Sequence, residues 1–318
     1  MQMRTLGKTD LQVAPLCLGG NAFGWTANEA ASQAVLDTYT EMGGNFIDTA
    51  DVYSNWVEGH VGGESETIIG RWMKARGNRN NLVIVTKVGS RMGPRPDEQG
   101  LSRTHITKGV EDSLRRLQTD HIDLYLAHRD DPDTSLDETL ETFTRLVEQG
   151  KARYIGASNY TAERLAEALD ISRTQGYARY ECLQPRYNLV IREDYEGDLE
   201  NLCRKEGLGV ITYSALGSGF LSGKYRKGQE LPKTPRAANV ERMYMNSRGF
   251  AVLEEVGKVA KAHGASYAQV ALAWQMARPG ITAPIASATT REQAQELVEA
   301  TDLQLDRDEI EALDNAGR

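Results

Sequence analysis

An α/β fold of eight repeating strand–helix units is what this sequence predicts, and three observations carry the expectation. Short apolar runs recur at 16–18, 45–47, 82–86, 122–127, 154–157, 182–183, 210–212 and 282–285, eight in all. Amphipathic stretches separate them, as parallel strands require, because a parallel pair is joined only by a crossover. The strand–GxGxxG–helix fingerprint of an open doubly wound sheet is absent, and Gly62-Gly63 reads as a turn. The expected architecture is therefore a closed (β/α)8 TIM barrel with an N-terminal β-hairpin. Residues 1–318 read as one barrel domain, with no interdomain linker, low-complexity segment or strong internal repeat.

The hairpin is expected first, where Arg4-Thr5-Leu6-Gly7-Lys8-Thr9-Asp10-Leu11-Gln12-Val13 alternates around a Gly-Lys turn. In the helix after the second core strand, Ile68 and Ile69 pair with Trp72 and Met73 at i,i+4 spacing. Ile106, Val110, Leu114 and Leu117 form the stripe of the next helix. Ser135-Leu136-Asp137-Glu138 reads as a capping box, with Leu140, Phe143 and Val147 on one face behind it. Gly150, Gly176 and Gly207 fall where helices stop, as left-handed caps do. Trp72 and Trp274 fit helical stripes and are expected in the core. From 214 to 249 the chain carries Gly, Pro, Arg and Lys with little periodicity. So long a connection inside a compact fold is usually a lid or a strap over a ligand.

Composition narrows the class. Hydrophobic residues at 40% and charged residues at 26% suit a globular protein with a large core. A net charge of −8 argues against a nucleic-acid surface, which needs clustered Lys and Arg. No apolar run approaches the ~20 residues of a bilayer span, so no membrane partner is expected. The segment Met1 to Lys8 lacks the apolar core of a signal peptide, and a cytoplasmic address is the default. Cys17, Cys182 and Cys203 form no CxxC pair and have no ligand-spaced neighbours, so neither a disulfide framework nor a metal site is expected. Oligomeric state is not legible in the sequence.

Four chemistry-bearing residues close apolar runs. Asp48 ends Asn45-Phe46-Ile47-Asp48, Tyr53 follows five residues later, Lys87 ends 82–87, and His128 ends 122–128. In a barrel these positions gather at the C-terminal mouth, where barrel enzymes place their chemistry. Asp, Tyr, Lys and His are together the parts needed to protonate a carbonyl oxygen while hydride arrives at its carbon. A phenol titrates near ~10 and is a poor acid–base group unless a neighbouring ammonium favours the phenolate. Lys87 supplies that field, Asp48 holds Lys87 charged, and His128 orients the substrate oxygen or joins the proton relay. The hydride must come from a cofactor. Singly, each residue has an ordinary explanation as a turn cap, a solvated strand end or a packing group; their joint placement at successive strand ends favours the chemistry.

The sequence resembles the aldo-keto reductase family over nearly its whole length. The matching pieces are Phe46-Ile47-Asp48-Thr49-Ala50-Asp51-Val52-Tyr53, Gly63-Glu64-Ser65-Glu66, Val85-Thr86-Lys87, Asp123-Leu124-Tyr125-Leu126-Ala127-His128, Gly150-Lys151 with Tyr154-Ile155-Gly156-Ala157-Ser158-Asn159, and Tyr213-Ser214-Ala215-Leu216-Gly217. The resemblance implies NADPH-dependent reduction of a small-molecule carbonyl, with Tyr53 as general acid and Asp48, Lys87 and His128 in support. It implies that Ser158, Asn159 and Gln184 hold the nicotinamide carboxamide and that Tyr213 stacks on the ring. Ser214, Leu216, Gly219 and Lys224 match the pyrophosphate segment. Arg236 resembles a residue used at the adenosine 2′-phosphate. Ser287, Thr289, Gln293 and Glu296 match adenosine-binding positions.

The pattern departs from many members at Ser287 or Gln293, where a basic residue is common, and at Leu297, where Asn is common, so NADH remains possible. Thr290-Arg291-Glu292-Gln293 is also a helix-start pattern, and Asn159 also suits a cap of the helix that follows it. Phe23, Trp25, Trp56 and Arg129 are expected to line the substrate mouth. Two other functions remain open: a Schiff-base lyase using Lys87, and a non-catalytic nicotinamide-binding regulatory subunit.

Overall fold

A computed structural model describes residues 1–317. A two-residue-stranded hairpin, β1 (Arg4–Thr5) and β2 (Gln12–Val13), precedes eight barrel strands. These are β3 (Cys17–Gly19), β4 (Phe46–Asp48), β5 (Val83–Val88), β6 (Ile122–Ala127), β7 (Ala152–Ser158), β8 (Tyr180–Gln184), β9 (Gly209–Thr212) and β10 (Ala283–Ala286). They pair in parallel in sequence order, and β10 closes on β3. The expected (β/α)8 barrel with its hairpin is the fold observed.

Alternation along the strands sorts side chains into two cores. Phe46, Val85, Leu124, Leu126, Cys182 and Ile211 point inward and fill the barrel with Cys17. Leu6, Leu11 and Val13 of the hairpin join that cluster, so the hairpin plugs the N-terminal end. Gly7 is needed there: it has φ 55°, and a Cβ would lie 2.6 Å from the Gly209 nitrogen. All three cysteines are free and buried.

Outward-facing residues meet the helices α1 (Glu29–Glu41), α2 (Glu64–Arg76), α3 (Arg103–Leu117), α4 (Leu136–Glu148), α5 (Ala162–Gln175) and α6 (Asp198–Glu206). After β9 come α7 (Ala237–Tyr244), α8 (Ser247–His263) and α9 (Tyr267–Met276), and after β10 come α10 (Arg291–Glu299) and α11 (Arg307–Ala316). The stripe Ile106, Val110, Leu114, Leu117 is buried on α3, and Trp72 and Trp274 are fully buried. Each such side chain contributes roughly 1.5–3 kcal/mol of transfer free energy. No helix among the described residues is long and apolar enough to cross a membrane.

Gly150, Gly176 and Gly207 all adopt positive φ, of 70°, 72° and 66°, at the ends of their helices. Only half of the expected capping box forms on α4. The Ser135 hydroxyl accepts from the Glu138 N–H at 3.2 Å, while the Glu138 carboxylate accepts from the Arg103 N–H at 2.8 Å. It satisfies a free amide at the start of α3 in preference to its own helix. The segment 214–249 is also less irregular than its composition suggests. It holds a 3-10 turn at Gly217–Ser222, all of α7, and the Asn246 cap that opens α8. Val240 and Tyr244, four apart and both buried, are the short helical signal there.

Candidate active site

The strand ends carry the site. Asp48 is the last residue of β4, Lys87 the fifth of the six in β5, and His128 follows β6. In the turn after β4, Ser54 takes φ 76° and its hydroxyl donates to the Phe23 carbonyl at 2.8 Å, which fixes the path of the chain beside Tyr53. The Lys87 Nζ lies 2.8 Å from both Asp48 carboxylate oxygens, 2.7 Å from the Thr49 carbonyl and 3.0 Å from the Tyr53 hydroxyl. All three ammonium protons therefore have acceptors. Lys87 is 0% exposed and Asp48 2%. The Tyr53 hydroxyl reaches Asp48 Oδ2 at 3.3 Å, and its ring packs edge-on to His128 with centroids 6.1 Å apart.

The electrostatics correct one sequence expectation. Burial outweighs the ammonium at Tyr53, and with Lys87 lowering and Asp48 raising it, the phenol is pushed up to about 12. The site thus holds a protonated phenol at neutral pH. At Lys87, burial opposes the charged form, but Asp48 and Tyr53 prevail and its pKa is raised. Burial, then Lys87 and Arg129, hold the His128 pKa well below its usual value, so its imidazole is neutral.

The ring of strand ends continues with the positions expected to hold a nicotinamide. Ser158 ends β7 and donates to the Gln184 carbonyl at 2.8 Å. The Gln184 side-chain amide, at the end of β8, donates to Asp48 Oδ1 at 2.8 Å. Asn159 is not a helix cap, since Thr161 caps α5. It takes φ 58°, donates to the His128 carbonyl at 2.9 Å and accepts from the Tyr213 hydroxyl at 2.7 Å. Ser158, Asn159, Gln184 and Tyr213 are therefore tied to one another and to the quartet.

Past Tyr213 the backbone turns sharply, with positive φ at Ser214, Gly217, Ser218 and Gly219. A Cβ on Gly219 would lie 3.1 Å from the Lys224 Nζ. Leu216 is half-buried at the start of this turn. Loss of solvent and then the Arg236 charge lower the Lys224 pKa, and burial lowers that of Arg236. Neither cation has a carboxylate partner among the described residues, which fits a segment built to meet phosphate. The Arg236 guanidinium lies 5.1 Å from the Trp25 ring centroid and 3.5 Å from Asn21 Oδ1, which also accepts from Ser287 at 2.7 Å. Arg236 and Ser287, distant in sequence, so meet at Asn21. Gln293 lies at the start of α10, where its Oε1 accepts from the Thr289 N–H and hydroxyl at 2.8 and 3.0 Å. Glu296 lies one turn further along α10, half-buried.

Comparison with known proteins bears on what these strand ends are for. The chain matches the aldo/keto reductase family over residues 15–318. It belongs to that family. It is 35% identical to a protein named uncharacterized oxidoreductase YrpG of Bacillus subtilis, covering 99% of this chain and 95% of the relative. It is also 34% identical to a probable voltage-gated potassium channel subunit beta of Arabidopsis thaliana, covering 95% and 92%. A putative subunit of the same name in Schizosaccharomyces pombe is 34% identical, covering 94% and 88%. Family membership and the oxidoreductase relative support an oxidoreductase.

In this aldo/keto reductase family member the mouth opens beside the phenol. A cavity of about 760 Å³ is lined by Tyr53, Trp56, Ser90, His128 and Arg129, among others. Trp56 is 48% exposed and meets Trp25 edge-on at 5.5 Å. Phe23, expected in the mouth, is 0% exposed and packs in the barrel–helix core, because the turn after β3 folds it inward. Ser90 and Asn21 are not marked as site residues by the sequence. Each touches its partner only through tertiary folding, and neither sits in a motif that marks it.

Proposed function

We propose that the chain is an NADPH-dependent oxidoreductase that reduces aldehyde or ketone carbonyls to alcohols, and catalyses the reverse. The observation that carries the reading is the contact of Lys87 with both Tyr53 and Asp48 at the mouth of the barrel. Tyr53 donates its proton to the carbonyl oxygen. The phenolate left behind is stabilised by the Lys87 ammonium, which Asp48 keeps charged and in place. His128, neutral, donates a hydrogen bond from its ring to the same oxygen and aligns the carbonyl. When bound, the reduced nicotinamide supplies the hydride to the carbonyl carbon. Ser158, Asn159 and Gln184 would hold its carboxamide, Tyr213 its ring, and the Ser214–Lys224 segment with Leu216 and Gly219 its pyrophosphate. Arg236 and Ser287 would receive the 2′-phosphate end, with Thr289, Gln293 and Glu296 nearer the adenosine. Trp25, Trp56 and Arg129 would meet the substrate.

The saturated hydrogen bonding of Lys87 argues against a Schiff-base lyase, whose amine must be neutral and free to attack. A second reading is favoured by the relatives named potassium channel beta subunits: a regulatory subunit that keeps the nicotinamide site and reports its occupancy to a partner. Loss of reduced-nicotinamide absorbance, followed across a panel of aldehydes and ketones with NADPH and with NADH, separates the two. The reductase reading expects turnover that Tyr53→Phe reduces by about 10²–10⁴-fold with cofactor affinity retained. Cofactor binding without turnover of any carbonyl would favour the regulatory reading.

A further inference from the structure

Ser90 stands three residues beyond Lys87, where Gly89 at φ 113° turns the chain out of β5. Ser90 is 6% exposed, and its Oγ lies 3.1 Å from His128 Nδ1. That nitrogen is the only hydrogen-bond partner of the hydroxyl among the described residues. A neutral imidazole has one ring nitrogen carrying a proton and one carrying a lone pair, and the partner of the first decides the second. Were Nδ1 protonated, it would donate to Ser90, and the buried serine proton would have no protein acceptor. A buried donor without an acceptor costs free energy that the opposite arrangement avoids.

We propose that Ser90 sets the tautomer of His128 by donating to Nδ1, so that the proton resides on Nε2, the ring nitrogen away from Ser90. Ser90 is then a positioning residue for the reduction proposed above, and its catalytic consequence rests on that reading. The main chain that carries the ring is fixed in place. The His128 N–H donates to the Val88 carbonyl at 2.8 Å, and its own carbonyl accepts from Asn159 at 2.9 Å. The backbone is therefore pinned on both sides while Ser90 addresses the ring. Both Ser90 and His128 line the cavity beside Tyr53. A lone pair on the other nitrogen would present an acceptor to a carbonyl oxygen, and two acceptors do not bond.

The test reads the tautomer directly. The protein is labelled with ¹⁵N-histidine, and His128→Gln assigns the resonance among the five histidines. Wild-type protein is expected to show His128 neutral with Nε2 protonated across neutral pH. In Ser90→Ala the Nδ1–H form should appear, while Ser90→Thr, which keeps the hydroxyl, should restore the wild-type pattern. In steady state Ser90→Ala should lower kcat about tenfold or more, as loss of an aligned donor does, with NADPH affinity unchanged. A wild-type Nδ1–H tautomer, or one unmoved by Ser90→Ala, overturns the assignment. If Ser90→Ala does not fold, Ser90→Cys, a far weaker donor, carries the same comparison. A wild-type Nε2–H tautomer that Ser90→Ala shifts, in a protein that turns over no carbonyl, would leave the role of Ser90 standing and remove the reductase reading.

Discussion

The side-chain amide of Gln184 donates to Asp48 Oδ1 at 2.8 Å across the barrel mouth, joining the end of β8 to the end of β4. Asp48 therefore answers to both sides of the mouth at once: Lys87 and Tyr53 on one, and Gln184, on the side proposed to hold the nicotinamide, on the other. The contacts with Lys87 and Gln184 are buried. We expect Gln184→Ala to cost about 1–3 kcal/mol of stability, the usual penalty for losing a buried hydrogen bond to a charged group, measured by urea unfolding. It should lower kcat as well as cofactor affinity. A loss confined to cofactor affinity would show that the link to Asp48 has no part in turnover.

The protonation of Tyr53 makes a pH prediction. The phenol is the proton donor for reduction, and its pKa is pushed up to about 12. Reduction should then be insensitive to pH across the neutral range and fall only in strong alkali, as the phenol loses its proton. A pH profile of kcat for carbonyl reduction checks this; a descending limb near neutrality would assign the donated proton to another group.

Arg236 rests on Trp25 and shares Asn21 with Ser287. Arg236→Ala should weaken NADPH binding by about tenfold or more and NADH binding little, since a charge-assisted contact to the extra phosphate is what is lost. Fluorescence titration with the two cofactors measures the difference. Equal losses would reassign Arg236 to supporting Trp25.

Asp51 offers a prediction on stability. Asp51 is 2% exposed, and its carboxyl has no side-chain partner, with only a weak contact from the Val52 N–H. Burial, then Glu66, raises its pKa well above the usual carboxylate range, against the smaller opposing effects of Arg116, the Val52 N–H and Lys87. The folded chain holds a proton there that the unfolded chain releases, so this group's stability contribution is complete at acid pH and declines as pH rises. Asp51→Asn removes that dependence. Its stability relative to wild type should improve with pH by up to about 1.4 kcal/mol per unit between the unfolded and folded pKa values. Urea unfolding from mildly acid to mildly alkaline pH reads the slope; parallel curves would show that Asp51 is ionised in the fold.

Local features of the fold were open to reading from sequence. The α3 stripe from Ile106 to Leu117, the helix-ending glycines and the alternation of Arg4 to Val13 each declare themselves within a few residues. So did the quartet, because strand ends are where a barrel exposes side chains. What escaped was of two kinds. Helix α7 was obscured because eight residues give only one repeat of an apolar pair, Val240 and Tyr244. The contacts of Gln184 with Asp48, Ser90 with His128 and Asn21 with Ser287 join residues far apart in the chain, and no periodicity encodes them. The net shift at Tyr53 is hidden for a related reason: the ammonium that lowers it is visible in the sequence, whereas the burial that outweighs it belongs to the assembled fold.

The hairpin has a consequence at the opposite end of the molecule. Leu6, Leu11 and Val13 stop the barrel's floor, and the layer above them includes Cys17, which already feels the charges of Asp48 and Lys87. These three apolar side chains therefore keep water from reaching that ion pair from below. Solvent seeping in from below would weaken the field between that pair and the phenol, so damage to this remote stopper should be felt as a change in acidity at the rim.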